Sequence, residues 1–229
     1  MTAFDAAAER YDAWYRTPIG RLTDQLEKEA IFGLAPAAAG RAADLSCGTG
    51  NYALELARRG WRVIGIDRSR LILEVAWRKA ASLTGRPAFV QADAAALPVR
   101  DGSLDLVTII LGLEFIADPL AVLREARRGL AANGSLVVAV LRAEGLWARW
   151  RRLKRRMVDS VWRDAHFSTD DEIQAALRAA GFLPHASRRV VHYGPWPLVA
   201  SWALRWERVA RRRVPRLAAV LAVHATPVP

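Results

Sequence analysis

The sequence predicts a doubly wound α/β domain, a mostly parallel sheet with helices on both faces. Short apolar runs alternate with helix-period segments between residues 42 and 141. Some of those runs, such as "LDLVTIILGL" at 104–113, are almost continuously apolar, as strands buried on both faces are. A glycine-containing turn, "SCGTGN", follows the first run and precedes a helical segment.

The elements follow in order. Residues 4–32 read as helical, with Tyr11, Trp14 and Tyr15 clustered and Pro18–Gly20 marking a break. "AADLS" (42–46) is a strand and 51–60 a helix closed by Gly60. A strand at 61–67 leads to a helix at 70–84, and a strand at 87–93 precedes the buried run at 104–113. A helix at 119–130 and a strand at 134–141 complete the alternation. Beyond 141 the rhythm changes. A basic stretch reaches about 163, and "STDDEIQAALRAAGF" (168–182) has the acidic first turn of a capped helix. A strand at 187–193, a helix at 197–213 starting at a proline, and a strand at 216–225 bring the strands to seven.

The length suits one domain over residues 1–229, divided into an N-terminal cap (4–35), a core (36–141) and a C-terminal side (142–229). With 52% apolar and 25% charged residues the balance is that of a globular chain, not a disordered one. The single cysteine, Cys47, excludes an internal disulfide and fits a cytoplasmic setting. No signal peptide is expected at the start, and no uncharged run reaches membrane-spanning length.

The formal charge of +11 is localised. Eight basic residues against two acidic ones lie in 142–163, and six arginines against one glutamate in 205–216, which leaves the remainder neutral. Leu146, Trp150, Leu153, Met157 and Val161 mark one helical face in the first segment, and Leu198, Trp202, Trp206 and Val209 one in the second. Three readings stand for these helices: a lid whose stripes pack on the domain, a contact with an anionic membrane, or a nucleic-acid surface. No recognisable nucleic-acid module supports the third. The tryptophans among arginines suggest weak, salt-sensitive membrane association and an acceptor with an apolar body.

In an open parallel sheet, ligands sit beyond the carboxyl ends of the strands where the strand order reverses, which places the glycine loop at the site. "GTGNYA" (48–53) satisfies a dinucleotide pattern, with Asp67 as a ribose partner. Three aspartates point elsewhere. Asp44 lies within the first strand, Asp67 ends the second and Asp93 ends the third. A cofactor with a cationic amino-acid end, a ribose and an adenine would use all three, while Gly48 and Gly50 let backbone approach it.

On the motifs "ADLSCGTG" (43–50), "VIGIDRS" (63–69), "VQADAAALPVRDGSLDLV" (90–107) and "LEFIADPLAVLREARRGLAANGSLVVAV" (113–140), the chain resembles class I S-adenosylmethionine-dependent methyltransferases of the type 11 group, which includes quinone-ring C-methyltransferases. "FDAAAERYDAWYRTPIG" (4–20) resembles their capping helix, and "LRAAGF" (177–182) is a further echo. The resemblance implies a Rossmann-like fold with an antiparallel last strand and S-adenosylmethionine as cofactor. It implies methyl transfer to a small-molecule acceptor, and a cofactor site drawn from Tyr11, Asp44, Ser46, Cys47, Gly48, Gly50, Asp67, Arg68, Asp93, Ala94 and Leu111. Two positions depart from the family: Ser46 replaces a usual glycine, and Glu114 stands in a segment that often carries histidine.

Methyl transfer is an in-line displacement needing mostly alignment and water exclusion, with a base only for an acceptor of high pKa. Glu114 is the first candidate for base or substrate anchor, or else caps the following turn. Tyr15 is placed to close over the cofactor, and His166 to reach the pocket mouth. His192 and His224 read as structural, Cys47 as a small packed residue, and no metal-ligand spacing is present. A module that binds the cofactor without turnover remains the alternative from another class.

Overall fold

The computed structural model describes residues 8–154, 165–196 and 199–228. Seven strands form one sheet: β1 (Arg41–Leu45), β2 (Arg62–Asp67), β3 (Ala88–Gln91), β4 (Leu104–Ile110), β5 (Leu130–Leu141), β6 (Phe182–Val190) and β7 (Val220–Pro227). Their order is β3-β2-β1-β4-β5-β7-β6. The first five are parallel, and β7 runs antiparallel to both β5 and β6. The helices are α1 (Ala8–Tyr15), α2 (Pro18–Phe32), α3 (Asn51–Arg58), α4 (Arg70–Ala80), α5 (Pro119–Gly129), α6 (Leu146–Lys154), α7 (Asp170–Ala179) and α8 (Ala200–Arg213).

Strand alternation sorts side chains between two cores. Along β5, Val137, Ala139 and Leu141 join α2, α3, α4 and α8 on one face. Leu136, Val138 and Val140 join α5 and α7 on the other. Both faces are therefore dry, as the continuous apolar strands require.

Several boundaries differ from the sequence reading. The break in the N-terminal helix falls at Arg16–Thr17, not at Pro18–Gly20. Thr17 caps α2 by accepting from the Gly20 amide at 3.0 Å, and Pro18 fills the first turn, where its missing N–H costs nothing. β6 starts at Phe182, five residues before the expected position, because Gly181 (φ +82°) ends α7 in the left-handed region and turns the chain straight into the sheet. β6 also ends at Val190, since Val191 (φ +66°) breaks the strand geometry. Pro215–Leu217 forms a 3₁₀ turn, so β7 begins only at Val220. The capping box of α7 is present: the Thr169 hydroxyl accepts from the Glu172 amide and the Glu172 carboxylate from the Thr169 amide.

The edge beyond β5 is tied by a buried ion pair. Arg142 donates to Asp170 through Nε at 2.5 Å and Nη2 at 3.2 Å, and through Nη1 to the carbonyls of Arg216 and Ala218. Asp170 also accepts from Arg189 on β6. Burial acts to raise the Asp170 carboxyl, but the two guanidiniums outweigh it and hold the pKa below the ordinary value. Asp170→Ala removes the close counter-charge of a buried arginine, so a loss of about 3 kcal/mol in urea unfolding at pH 7 is expected. Because the folded pKa is depressed, this contribution is present above the unfolded carboxylate value. It fades as pH falls from about 4 through the lower folded pKa, where variant and parent curves should converge.

Candidate cofactor and acceptor site

The site is built at the switch point, where β1 and β4 lie side by side but their chains depart in opposite directions along the sheet. A cavity of about 600 Å³ opens there, lined from the ends of β1, β2, β3 and β4 and from Tyr15 on α1. It brings together Tyr15, Ser46, Cys47, Gly48, Asp67, Arg68, Asp93, Ala94 and Leu111. Asp44, Gly50, Glu114 and His166 stand outside its lining, and the side chain of Tyr11 lies outside the described residues.

The two loop glycines serve different ends. A Cβ built on Gly48 (φ +54°) meets nothing within 4 Å, so its backbone presents an open face to the cavity. A Cβ on Gly50 (φ +77°) would lie 2.9 Å from the Phe89 ring and 3.1 Å from Ala76. On its Cβ side Gly50 thus answers to packing inside the protein.

Asp67 holds the loop in place. Its Oδ2 accepts from the Gly48 amide at 3.0 Å and its Oδ1 from the Ser69 amide at 2.9 Å. Asp93 accepts from the Ala95 amide at 2.9 Å and lies 3.8 Å from the Arg68 guanidinium. Asp44 is buried beneath the loop. Its Oδ1 accepts from the Thr108 hydroxyl at 2.7 Å, and its Oδ2 has no hydrogen-bond partner among the described residues. Burial pushes its carboxyl up to about 7, against the pull of the Thr108 bond. Cys47 packs against the wall with its thiol pushed up by burial, an unreactive setting.

Ser46 (φ +54°) and Leu111 (φ +52°) flank the cavity in the left-handed region without being glycine. Such residues cost of order 1–3 kcal/mol and persist where neighbours over-determine them. Here a Cβ on Gly112 would come 2.7 Å from the Ser46 Cβ, so the serine occupies space that Gly112 leaves.

Glu114 sits in a 3₁₀ turn (Leu113–Phe115) whose Phe115 lines the cavity, while its own carboxyl turns into the protein. Its Oε1 accepts from the Leu141 amide at 2.5 Å and its Oε2 has no partner among the described residues. It does not cap the following helix. That role falls to Asp118, which accepts from the Ala121 amide at 3.0 Å. Burial pushes the Glu114 carboxyl up to about 7. His166 is exposed, with its amide donating to the Glu114 carbonyl at 2.8 Å. His192 is fully buried. Its Nδ1 lies 3.0 Å from Glu207, and its Nε2 has no hydrogen-bond partner among the described residues. His224 is 3.2 Å from the Ser135 hydroxyl, a structural contact.

Other contributors escaped the sequence reading. Lys79 on α4 reaches Asp12 on α1 at 2.7 Å, Asn51 at 2.5 Å and Thr49 at 3.3 Å, so it ties α1 to the glycine loop. Tyr52 lines the cavity and donates to the buried Glu27, whose carboxyl burial pushes up to about 8. Trp14 meets Tyr15 and Trp147 edge-on at 4.9 and 5.7 Å, forming an aromatic wall behind α1. Only the three-dimensional approach of separate segments marks these residues; no local motif does.

An antiparallel β7, a glycine loop at the β1–β4 switch and carboxylates ending β2 and β3 define the class I S-adenosylmethionine-dependent methyltransferase fold. Residues 43–138 match a family described as a methyltransferase domain. An uncharacterised protein of Mycobacterium tuberculosis is 34% identical over 191 residues, which cover 83% of this chain and 63% of that one. The chain thus spans a little under two thirds of that relative's length. A demethylmenaquinone methyltransferase of Clavibacter sepedonicus is 38% identical over 136 residues, covering 59% of this chain and 55% of that one. Among solved structures, a methyltransferase of Thermotoga maritima described as a possible histamine N-methyltransferase superposes with a TM-score of 0.74. It is 22% identical and covers 98% of this chain and 97% of its own, a likeness of fold.

Two expectations test the site. Gly50→Ala drives a methyl group into the Phe89 ring at positive φ, so a loss of about 2–4 kcal/mol in folding stability is expected. Gly48→Ala meets no neighbour, so about 1–2 kcal/mol of backbone strain should be its whole cost to stability, with the larger effect on ligand binding. Chemical denaturation of both variants checks this. Glu114→Gln keeps the bond to the Leu141 amide and removes a carboxyl whose folded pKa lies above its unfolded value. The stability that protonation gives the parent is present below about pH 4.5 and lost as pH rises through about 7. Relative to the parent, the variant should therefore gain about 3 kcal/mol between pH 4.5 and pH 8, read from unfolding curves across that range.

Proposed function

We propose that this protein binds S-adenosylmethionine in the β1–β4 cavity and transfers its methyl group to a small-molecule acceptor with an apolar body. The open backbone face of Gly48, held by Asp67 and bounded by Ser46 and Leu111, is the observation that carries this reading. The fit is favourable on independent grounds. Gly48 leaves room where a side chain would fill it, and a cationic group near the loop would draw the buried Asp44 carboxyl, one oxygen of which has no hydrogen-bond partner among the described residues, toward its charged form. Asp67 would accept from the ribose hydroxyls, Asp93 and the Ala94 backbone would meet the adenine, and Asp44 would favour the cationic end. When bound, the cofactor supplies a methyl group already activated on a sulfonium.

The residues' own task is then alignment and exclusion of water. Tyr15 and Phe115 line the cavity, and Trp14 and Trp147 back the wall on the α1 side. The Lys79–Asp12 pair holds α1 against the loop, so closure and cofactor contact are coupled. Glu114 stands outside the lining with its carboxyl on the Leu141 amide, so its part is to hold the 3₁₀ turn that carries Phe115 into the cavity. Likeness to a demethylmenaquinone methyltransferase supports a quinol-type acceptor, whose ring would pack on such aromatic walls.

Calorimetry should show binding of S-adenosylmethionine and its demethylated product with no comparable binding of NAD. Micromolar NAD binding in their place would overturn the reading. Asp67→Ala is expected to lose one or two charge-assisted hydrogen bonds to the cofactor, about 1.5–3 kcal/mol each. Turnover on a panel of quinols, phenols, amines and thiols identifies the acceptor. Binding without turnover on any of them would favour a non-catalytic module.

A further inference from the structure

The sequence places Trp202, Trp206 and Val209 on one helical face, which a lid would bury. The structure turns that face outward. In α8 the buried stripe is Ala203, Glu207 and Ala210, all at most 1% exposed. Trp202, Leu204 and Val209 are 46%, 42% and 52% exposed, and Trp206 is 36% exposed although its indole N–H donates to the His192 carbonyl. Leu198, Met157 and Val161 lie outside the described residues.

The charge on this face is of one sign. Arg205, Arg208, Arg212 and Arg213 are exposed beside the apolar stripe. The single acid of the helix, Glu207, points inward. It accepts there from the Val191 and His192 amides and from Arg211, and lies 3.0 Å from His192 Nδ1. The neighbouring surface continues the pattern. Trp196 is 42% exposed and meets Trp150 of α6 edge-on at 5.8 Å, and Leu153 of α6 is 64% exposed beside Arg152.

We propose that the outer face of α8 is a docking surface for an anionic lipid membrane. The tryptophans would sit at the headgroup level, with apolar rings inward and the arginines against lipid phosphates. A second copy of this chain would bring like charges together with no exposed acid on α8 to meet them. Nucleic acid would use the arginines but leave Val209 and Leu204 in water. Among the described residues no helix is long and apolar enough to cross a membrane, so the contact is peripheral. The segment Val191–Trp196 links this face to the interior, since Trp147 donates to the Tyr193 carbonyl and the Tyr193 hydroxyl meets Thr23 of α2.

The test is sedimentation of the full chain with vesicles of phosphatidylcholine alone or mixed with phosphatidylglycerol, at low and high salt. No cofactor or acceptor is present, so the outcome is independent of the methyl-transfer reading. Binding is expected only to the anionic vesicles and should weaken at high salt. Arg205→Gln with Arg212→Gln should lower the partition coefficient about 25-fold, roughly fivefold per charge. Trp202→Ser should lower it several-fold, with the melting temperature of each variant unchanged. The proposal is overturned by equal failure to bind either vesicle, or by anionic binding that these variants leave intact. It is also overturned if Trp202→Ser abolishes a dimer in sedimentation velocity, or if duplex or single-stranded nucleic acid outcompetes the vesicles.

Discussion

The Phe89 ring sets the height of the ligand loop. It lies on β3 with room for nothing larger than hydrogen at Gly50 and Gly65, where a Cβ would approach it to 2.9 and 2.5 Å. Cys47 closes the same pocket, its sulfur 3.0 Å from where a Gly65 Cβ would stand. With the loop seated on this aromatic plug, the Cys47 amide donates to the Ile66 carbonyl and the Gly48 amide to Asp67. β1, β2 and β3 thereby meet at one point, and the backbone of Gly48 is left facing the cavity together with Ser46, Cys47, Thr49 and Asn51. The cavity's shape depends on that packing and on the Asp12 and Lys79 bonds to Thr49 and Asn51 that tie the loop to α1 and α4.

Around this seat the protein holds groups in states that cost free energy. Ser46 and Leu111 carry positive φ just beyond the ends of the paired strands β1 and β4, and the Leu111 amide donates to the Ala139 carbonyl at 2.8 Å. Asp44, Glu114 and Glu27 are buried carboxyls pushed up to about 7, 7 and 8. A strictly structural core would replace such groups with apolar ones. Asp44 and Glu114 lie within two residues of cavity-lining positions, and Glu27 reaches the cavity wall through Tyr52.

The C-terminal half is held onto the domain by a different chemistry. The Glu207 carboxyl collects the His192 ring, two amides and Arg211, and this cluster rather than the tryptophans draws α8 onto the domain. Burial acts to raise Glu207, but the bonds from His192 and Arg211 outweigh it and keep its pKa low. The small Ala203 and Ala210 let the helix approach closely, and the large side chains are left on the outer surface.

The alternation of strands and helices, the loop at the switch point and the carboxylates ending β2 and β3 are legible in the amino-acid sequence alone. Each of these is a local matter of period, turn chemistry or strand terminus, and residues within one segment suffice to encode it. The tertiary structure decided the rest. Gly50 faces Phe89, Asp12 faces Lys79 and Glu114 turns toward the Leu141 amide, all through partners distant in the chain. It also decided which face of α8 is buried. The period of that helix marks an apolar stripe but cannot weigh it against a competing stripe of small residues whose one carboxylate finds its partners only when β6 and the turn after it have folded.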